Sequence, residues 1–306
     1  MKIPRFLAGC VLLTLAGTGC ASAGGSADDG TPQVVVGFYP LQYLAERIGG
    51  SGVQVSSLAQ PGAEPHDLEL SPHQVQDVAE ADLVLYLAAF QPAIDDAVTQ
   101  NAEDSSLDLL TATDLAEGYE ELDHQDERDA EEREQSAPDP HVWLDPTRYA
   151  ALAGAVADRM AQADPDNADT YTTNGEALVG ELTALDEQFA AGLADCDRNE
   201  IVTTHNAFRY LADRYGLEQV GIVGLSPEEE PSAQRLAEIQ EFAADNDVTT
   251  IFYEEAVSSD YAQTVADEVG AATEVLSPIE VADEGEDYFS LMQANLSTLQ
   301  EALGCS

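Results

Sequence analysis

Short apolar runs alternate with longer stretches of helical spacing along most of the chain. Val34 to Phe38 is nearly all apolar and predicts a strand buried on both faces. Pro40 to Ile48 then carries Leu41, Leu44, Ala45 and Ile48, the three-and-four spacing of one helix face. Val53–Leu58 and Leu83–Leu87 predict further strands, and Ser71-Pro72 opens a capped helix ending near Glu80. Asp145-Pro146 and Asp164-Pro165 each open a helix. The second runs to about Leu193, with apolar positions at Leu178, Leu182, Leu185, Phe189 and Leu193. Alternation then resumes, with strands expected over 201–204, 220–223, 250–253 and 274–276, and helices over 207–215, 233–244 and 288–303, plus one ending at Val269-Gly270. The pattern predicts an α/β fold: two α/β domains with mainly parallel sheets, joined by one long rigid helix. The expected boundaries are 32–163 for the first domain, 164–194 for the connecting helix and 195–306 for the second.

Two segments stand outside this alternation. Residues 1–20 pair a positive start, Lys2 and Arg5, with a short apolar stretch from Phe6 to Ala16, far below the ~20 residues a membrane-spanning helix needs. The stretch ends in Gly17-Thr18-Gly19-Cys20, which resembles a lipobox, although Gly17 stands where a branched apolar residue is usual. Residues 1–20 are thus expected to be an export signal, Cys20 a lipidated N-terminus and 21–31 a flexible tether. The protein would lie outside the cytoplasm, anchored to the cell membrane by lipid, with a secreted or periplasmic soluble form as the alternative. Residues 117–139 are acidic and nearly without apolar side chains, and predict an acidic loop within the first domain.

Charge narrows the partners. The 306 residues include 59 Asp and Glu against 11 Lys and Arg, for a formal net charge of -48, and the one lysine is Lys2. Such a surface repels phosphate backbones and anionic headgroups, which excludes nucleic acid and polybasic membrane binding. With Cys10 in the signal and Cys20 lipidated, Cys196 and Cys305 remain, and in an exported protein they most simply form one disulfide.

Among the five histidines, His66, His141 and His205 share a setting near strand ends or helix starts. His66 follows the second strand, in Pro61-Gly62-Ala63-Glu64-Pro65-His66-Asp67. His141 precedes a helix, in Asp139-Pro140-His141-Val142-Trp143-Leu144-Asp145-Pro146, and His205 ends the strand 201–204. Open α/β sheets bind ligands beyond the carboxyl ends of their strands, so facing domains would bring all three to one cleft. Neutral imidazoles suit borderline cations such as Zn²⁺. The spacing alone has little motif value, because a histidine at a helix start is commonly a hydrogen-bonded turn residue. His73 reads as a helix-surface residue, and Trp143 and Tyr39 as core or cleft-wall aromatics.

The local sequences sharpen this. Phe38-Tyr39-Pro40, Gly49-Gly50, the segment Pro61–Asp67, Ala81-Asp82-Leu83-Val84, Pro140–Pro146, Thr203-Thr204-His205-Asn206-Ala207-Phe208, Phe252-Tyr253-Glu254 and Tyr288-Phe289-Ser290-Leu291-Met292 together resemble the zinc-binding cluster A-I lipoproteins. These are substrate-binding proteins of metal ABC importers, and the resemblance covers about residues 33–303. It implies a metal in the interdomain cleft, with His66, His141 and His205 as ligands. Manganese-binding relatives commonly carry a carboxylate at the third of these positions, so His205 favours zinc. The resemblance offers Glu280 as fourth donor, with Glu64, Glu255 and water as alternatives. Zinc-binding relatives often have a His-rich acidic insert, whereas here His124 is the only histidine in it. The implied function is zinc capture by a monomer and delivery to an importer permease served by a separate ATPase chain. A zinc hydrolase using Glu64 or Glu255 as base is the enzymatic rival, but the chain has no HExxH. An adhesin or scaffold lipoprotein with incidental metal is a third reading.

Overall fold

The computed structural model describes residues 30–115, 138–254 and 258–306. The expected signal with Cys20, almost all of the tether, most of the acidic loop with His124, and Glu255 lie outside the described residues. Eight strands form two four-stranded sheets, every pairing parallel. The first sheet contains β1 (Gln33–Val36), β2 (Gln54–Ser57), β3 (Leu83–Tyr86) and β4 (Ser106–Asp108), in the order β2-β1-β3-β4. The second contains β5 (Glu200–Thr203), β6 (Glu218–Gly221), β7 (Thr250–Tyr253) and β8 (Ala272–Val275), in the order β6-β5-β7-β8.

Burial follows that order. The central strands β1, β3, β5 and β7 bury nearly every residue, while edge strands β2 and β8 alternate exposed and half-buried positions. Strands covered on both faces read as continuous apolar runs, and edge strands do not. This is why β4, with its sequence Ser-Leu-Asp, left no apolar run to read. β6 also lies two residues earlier than its apolar residues suggest, and β8 starts two residues earlier. The amides of Ile222 and Val223 still bond to the carbonyls of Thr203 and Thr204, so these apolar residues are buried just past the ladder.

Helices cover the sheets. In the first half these are α1 (Tyr39–Gly49), α2 (Pro72–Glu80) and α3 (Pro92–Asn101), and α4 (Pro146–Ala163) and α5 (Ala168–Gly192) follow. The second half has α6 (Arg209–Tyr215), α7 (Ala233–Asp245), α8 (Asp260–Val269) and α9 (Tyr288–Leu303). Ser71 and Gln74 form a capping box on α2, and Asp145 caps α4 ahead of Pro146. α5 has 25 residues, a rod of about 37 Å. Tyr171, Leu178, Leu182, Leu185 and Phe189 bury one stripe of it. Gly175 lies where α5 meets α4, and a Cβ there would come within 2.6 Å of Ala157 Cβ.

Three apolar clusters result. Val35, Val78, Val84 and Ile94 pack on one side of the first sheet, and Val202, Ile239, Ile251 and Val265 on one side of the second. The third cluster is continuous from Val36 and Leu85 through Trp143, Leu178 and Leu185 to Phe208, Phe252 and Leu299. Both sheets therefore share one core with α4, α5 and α9. A disulfide joins Cys196, after α5, to Cys305 at the end of α9, closing 109 residues. No helix among the described residues is long and apolar enough to cross a membrane.

Candidate metal centre

β5 and β7 are adjacent although the chain visits β6 between them, so their carboxyl ends flank a topological switch point. His205 leaves from just beyond β5 and Glu254 from just beyond β7. Glu280 arrives on the loop after β8, His66 on the loop after β2, and His141 just before the short 3-10 turn Val142–Leu144 that leads into α4.

These positions converge. One donor atom from each of His66, His141, His205 and Glu280 can be chosen so that all lie within 4.8 Å of one another. Glu280 Oε1 lies 3.2 Å from His66 Nε2, 3.4 Å from His141 Nε2 and 3.9 Å from His205 Nε2. His141 Nε2 and His205 Nε2 are 3.3 Å apart. The side chains of His141 and His205 are fully buried, and Glu280 nearly so. The His66 side chain is 9% exposed, its ring edge-on to Phe90 at 4.6 Å.

The backbone delivers these groups by specific devices. Asn295 Oδ1 accepts from the Ser277 amide and its Nδ2 donates to the Ser277 carbonyl. The Trp143 indole donates to the Pro278 carbonyl at 2.7 Å, tying the His141 segment to the Glu280 loop. Between them Ile279 takes φ 59 while buried. A β-branched residue rarely adopts that left-handed conformation, and such strain gathers at functional sites. On the other side, Glu64 accepts from the His66 and Asp67 amides and pins their loop, with Oε1 3.8 Å from His66 Nε2. Burial raises its carboxyl above the ordinary range despite those hydrogen bonds.

Two carboxylates stand behind the histidines. Asp139 Oδ1 accepts from the His141 amide and meets its Nδ1 at 2.8 Å, and Glu254 Oε1 meets His205 Nδ1 at 2.5 Å. Glu254 also accepts a short hydrogen bond from the Thr204 hydroxyl. Burial alone would lower the pKa of His141, but its hydrogen bonds to Asp139 and Glu280 outweigh that and push it up to about 9. Burial would raise Glu280, yet His141 and His66 hold it well below the usual carboxylate range. His141, with its pKa raised, thus presents Nε2 where a cation would lie, between Glu280 Oε1 at 3.4 Å and His205 Nε2 at 3.3 Å. A divalent ion can take that place, with nitrogen and carboxylate donors that match zinc.

The structure brings Glu280 rather than Glu64 into the cluster with the three histidines. His73 is 84% exposed on α2 and pairs with Asp77, while Trp143 is buried in the core and Tyr39 half-buried. Sequence reading assigned no role to Asp139 or to Glu254 as a histidine partner. The available signals were an aspartate two residues before a histidine, and the first of two acids that follow the apolar strand Thr250–Tyr253.

Two parallel-sheet halves with a buried cluster of three imidazoles and a carboxylate define a divalent-metal-binding protein. The chain belongs to the family described as zinc-uptake complex component A, periplasmic, whose model matches residues 34–302. It is 34% identical over 97% of its length to the high-affinity zinc uptake system protein ZnuA of Bacillus subtilis, covering 96% of that protein. It is 36% identical to the zinc-binding lipoprotein AdcA of Streptococcus pneumoniae over 89% of its length, but spans only 56% of that relative. Among solved structures, Zn(II)-bound AdcA matches with TM-score 0.75 and 32% identity over 90% of this chain and 58% of that one. The laminin-binding protein Lmb of Streptococcus agalactiae, described as bifunctional in adhesion and metal transport, matches with TM-score 0.78 and 31% identity over 89% and 99%.

Proposed function

We propose that this protein captures Zn²⁺ outside the cytoplasm and hands it to an ABC-type importer, binding the ion through His66, His141, His205 and Glu280. The convergence of four donors within 4.8 Å, three of them at least 97% buried, carries the reading. Three nitrogens and one oxygen suit zinc better than manganese, which prefers all-oxygen sites. In this reading Cys20 carries a lipid anchor, the mature chain is a monomer, and the halves bounded at 163/164 and 194/195 act as two domains. The partner is a permease with its ATPase on another chain. Capture and release need no covalent step, so no catalytic residue is assigned.

Competitive titration against a zinc chelator tests it. The mature protein should bind one zinc tightly and manganese far more weakly. The double variant His66→Ala/Glu280→Gln removes two donors and should lose at least about 100-fold in zinc affinity, or about 2.7 kcal/mol. Unchanged affinity in that variant would sink the ligand assignment. The likeness to Lmb favours adhesion as a second reading. Laminin binding without zinc, in a deletion strain that still grows under zinc limitation, would move it to the front.

A further inference from the structure

We propose that Asp139 and Glu254 are positioning residues of the zinc site: each holds the Nδ1–H of one ligand imidazole, so that His141 and His205 face the ion with a bare, aimed Nε2. The geometry is the same at both places. A carboxylate oxygen lies 2.8 Å from His141 Nδ1 and another 2.5 Å from His205 Nδ1, while each Nε2 faces Glu280. Asp139, Glu254 and both rings are at least 96% buried, so water cannot substitute for either carboxylate.

The tautomer follows from what each carboxylate already accepts. Glu254 Oε1 takes the Thr204 hydroxyl proton, and Asp139 Oδ1 takes the His141 amide proton. Each of these oxygens already acts as an acceptor, so the imidazole nitrogen facing it is the one that donates its hydrogen. The other nitrogen is then the metal donor, and the negative charge behind the ring raises its basicity. Asp139 is fixed in turn, since Tyr210 donates to its carbonyl at 2.9 Å. His66 differs. Among the described residues no carboxylate meets its Nδ1, and the edge of its ring rests on Phe90. Two of the rings thus have a carboxylate behind Nδ1, whereas the His66 loop is held by the Glu64 carboxylate at its backbone amide.

Asp139 and Glu254 can play this part only if the four side chains bind zinc, and the two claims fail separately. Zinc affinity unchanged in His66→Ala/Glu280→Gln defeats the ligand assignment. If that variant loses zinc, the next measurements judge the positioning role by itself. Long-range ¹H–¹⁵N correlation spectra of the zinc-loaded wild type should show His141 and His205 among the histidines with hydrogen on Nδ1 and metal on Nε2, identified by their loss or shift in Asp139→Asn and Glu254→Gln. Each of these near-isosteric variants should weaken zinc binding by about 10- to 100-fold and shift the visible absorption of the cobalt-loaded protein. Metal on Nδ1 at either histidine would overturn the proposal. So would variants that lower the melting temperature of the metal-free protein but leave zinc affinity and the cobalt spectrum unchanged, because that is a structural role only.

Discussion

In the first sheet Val36 of β1 pairs with Leu85 of β3, and two residues further on the chain places Phe38 and Leu87. In the second sheet Thr203 of β5 pairs with Phe252 of β7, and two residues further on stand His205 and Glu254. Strand order and register agree between the sheets, so the same two scaffold positions hold an apolar pair in one half and a hydrogen-bonded His–Glu pair in the other. Phe38 packs on Phe90 and Trp143 at centroid distances of 4.8 and 4.9 Å, and Phe90 in turn supports His66 and Trp143. At these strand ends the first sheet thus holds up the site by packing, and the second supplies a donor and its acceptor, while His66 and His141 come from loops of the first half. A switch point offers a place for chemistry, but the side chains there decide whether any occurs.

The largest expected effects separate these two uses. Phe38→Ala removes a fully buried ring and should cost about 3–5 kcal/mol of stability, while still allowing one zinc to bind. His205→Asn should do the reverse. The amide nitrogen of asparagine can still donate to Glu254, so stability should change by less than about 1 kcal/mol, but the Nε2 donor is gone and zinc affinity should fall at least about 100-fold. Chemical denaturation and chelator competition on both variants check the pair. Equal losses of stability and affinity in both would dissolve the contrast between the halves.

Next in size is an opposite pH response with and without zinc. His141 has its pKa raised from 6.5 to about 9 in the metal-free protein. Its contribution to stability is therefore fully present below pH 6.5 and is lost as pH rises through about 9. The amount is on the order of 3 kcal/mol. Glu280 is shifted the other way, so its contribution is present above its unfolded value of 4.5 and is lost as pH falls. With His141 as a ligand, as proposed, zinc displaces its proton, so zinc affinity should rise over the same interval, and with it the added stability of the loaded form. Denaturation curves at pH 6.0 and 8.5, in chelator-buffered zinc and without metal, should move in opposite directions. Parallel slopes would mean that His141 keeps its proton when zinc binds, or does not touch it.

How far the sequence could be read depended on whether a residue's role is local. Val34–Phe38, Leu83–Leu87 and Ile201–Thr204 announced their strands because central parallel strands need apolar residues at successive positions. Ser71-Pro72 and Asp145-Pro146 announced helices because cap and first turn are adjacent in sequence. β4 was silent because an edge strand as short as Ser106–Asp108 gains its place from pairing with β3, which no local pattern records. The three histidines could be singled out by their place at strand ends and helix starts. Glu280 needed family resemblance, since one acid among 59 carries no local distinction. Asp139 and Glu254 were hidden for the same reason. Their roles appear only when buried side chains distant in sequence meet: Glu254 follows a different strand from its histidine, and Asp139 turns back on His141 across Pro140.

The smallest effect bears on how the His205–Glu254 pair in the second half is fixed. Thr204 is buried, and its hydroxyl shares Glu254 Oε1 with His205 Nδ1. Thr204→Val keeps the shape and removes one of the two donors holding that carboxylate. A buried hydrogen bond to a charged group is worth about 1.5–3 kcal/mol, and since Glu254 retains His205, a loss near the bottom of that range is expected. Zinc affinity should fall by less than about 10-fold, because His205 still has its acceptor and only the precision of its aim is reduced. Affinity and melting temperature measured beside Glu254→Gln place the two residues in order. A loss in Thr204→Val as large as in Glu254→Gln would mean that the carboxylate orients nothing without the hydroxyl. The unit of positioning would then be the Thr204–Glu254 pair. The first sheet offers no counterpart to it, because Gly37 occupies the position of Thr204 and Leu87 that of Glu254.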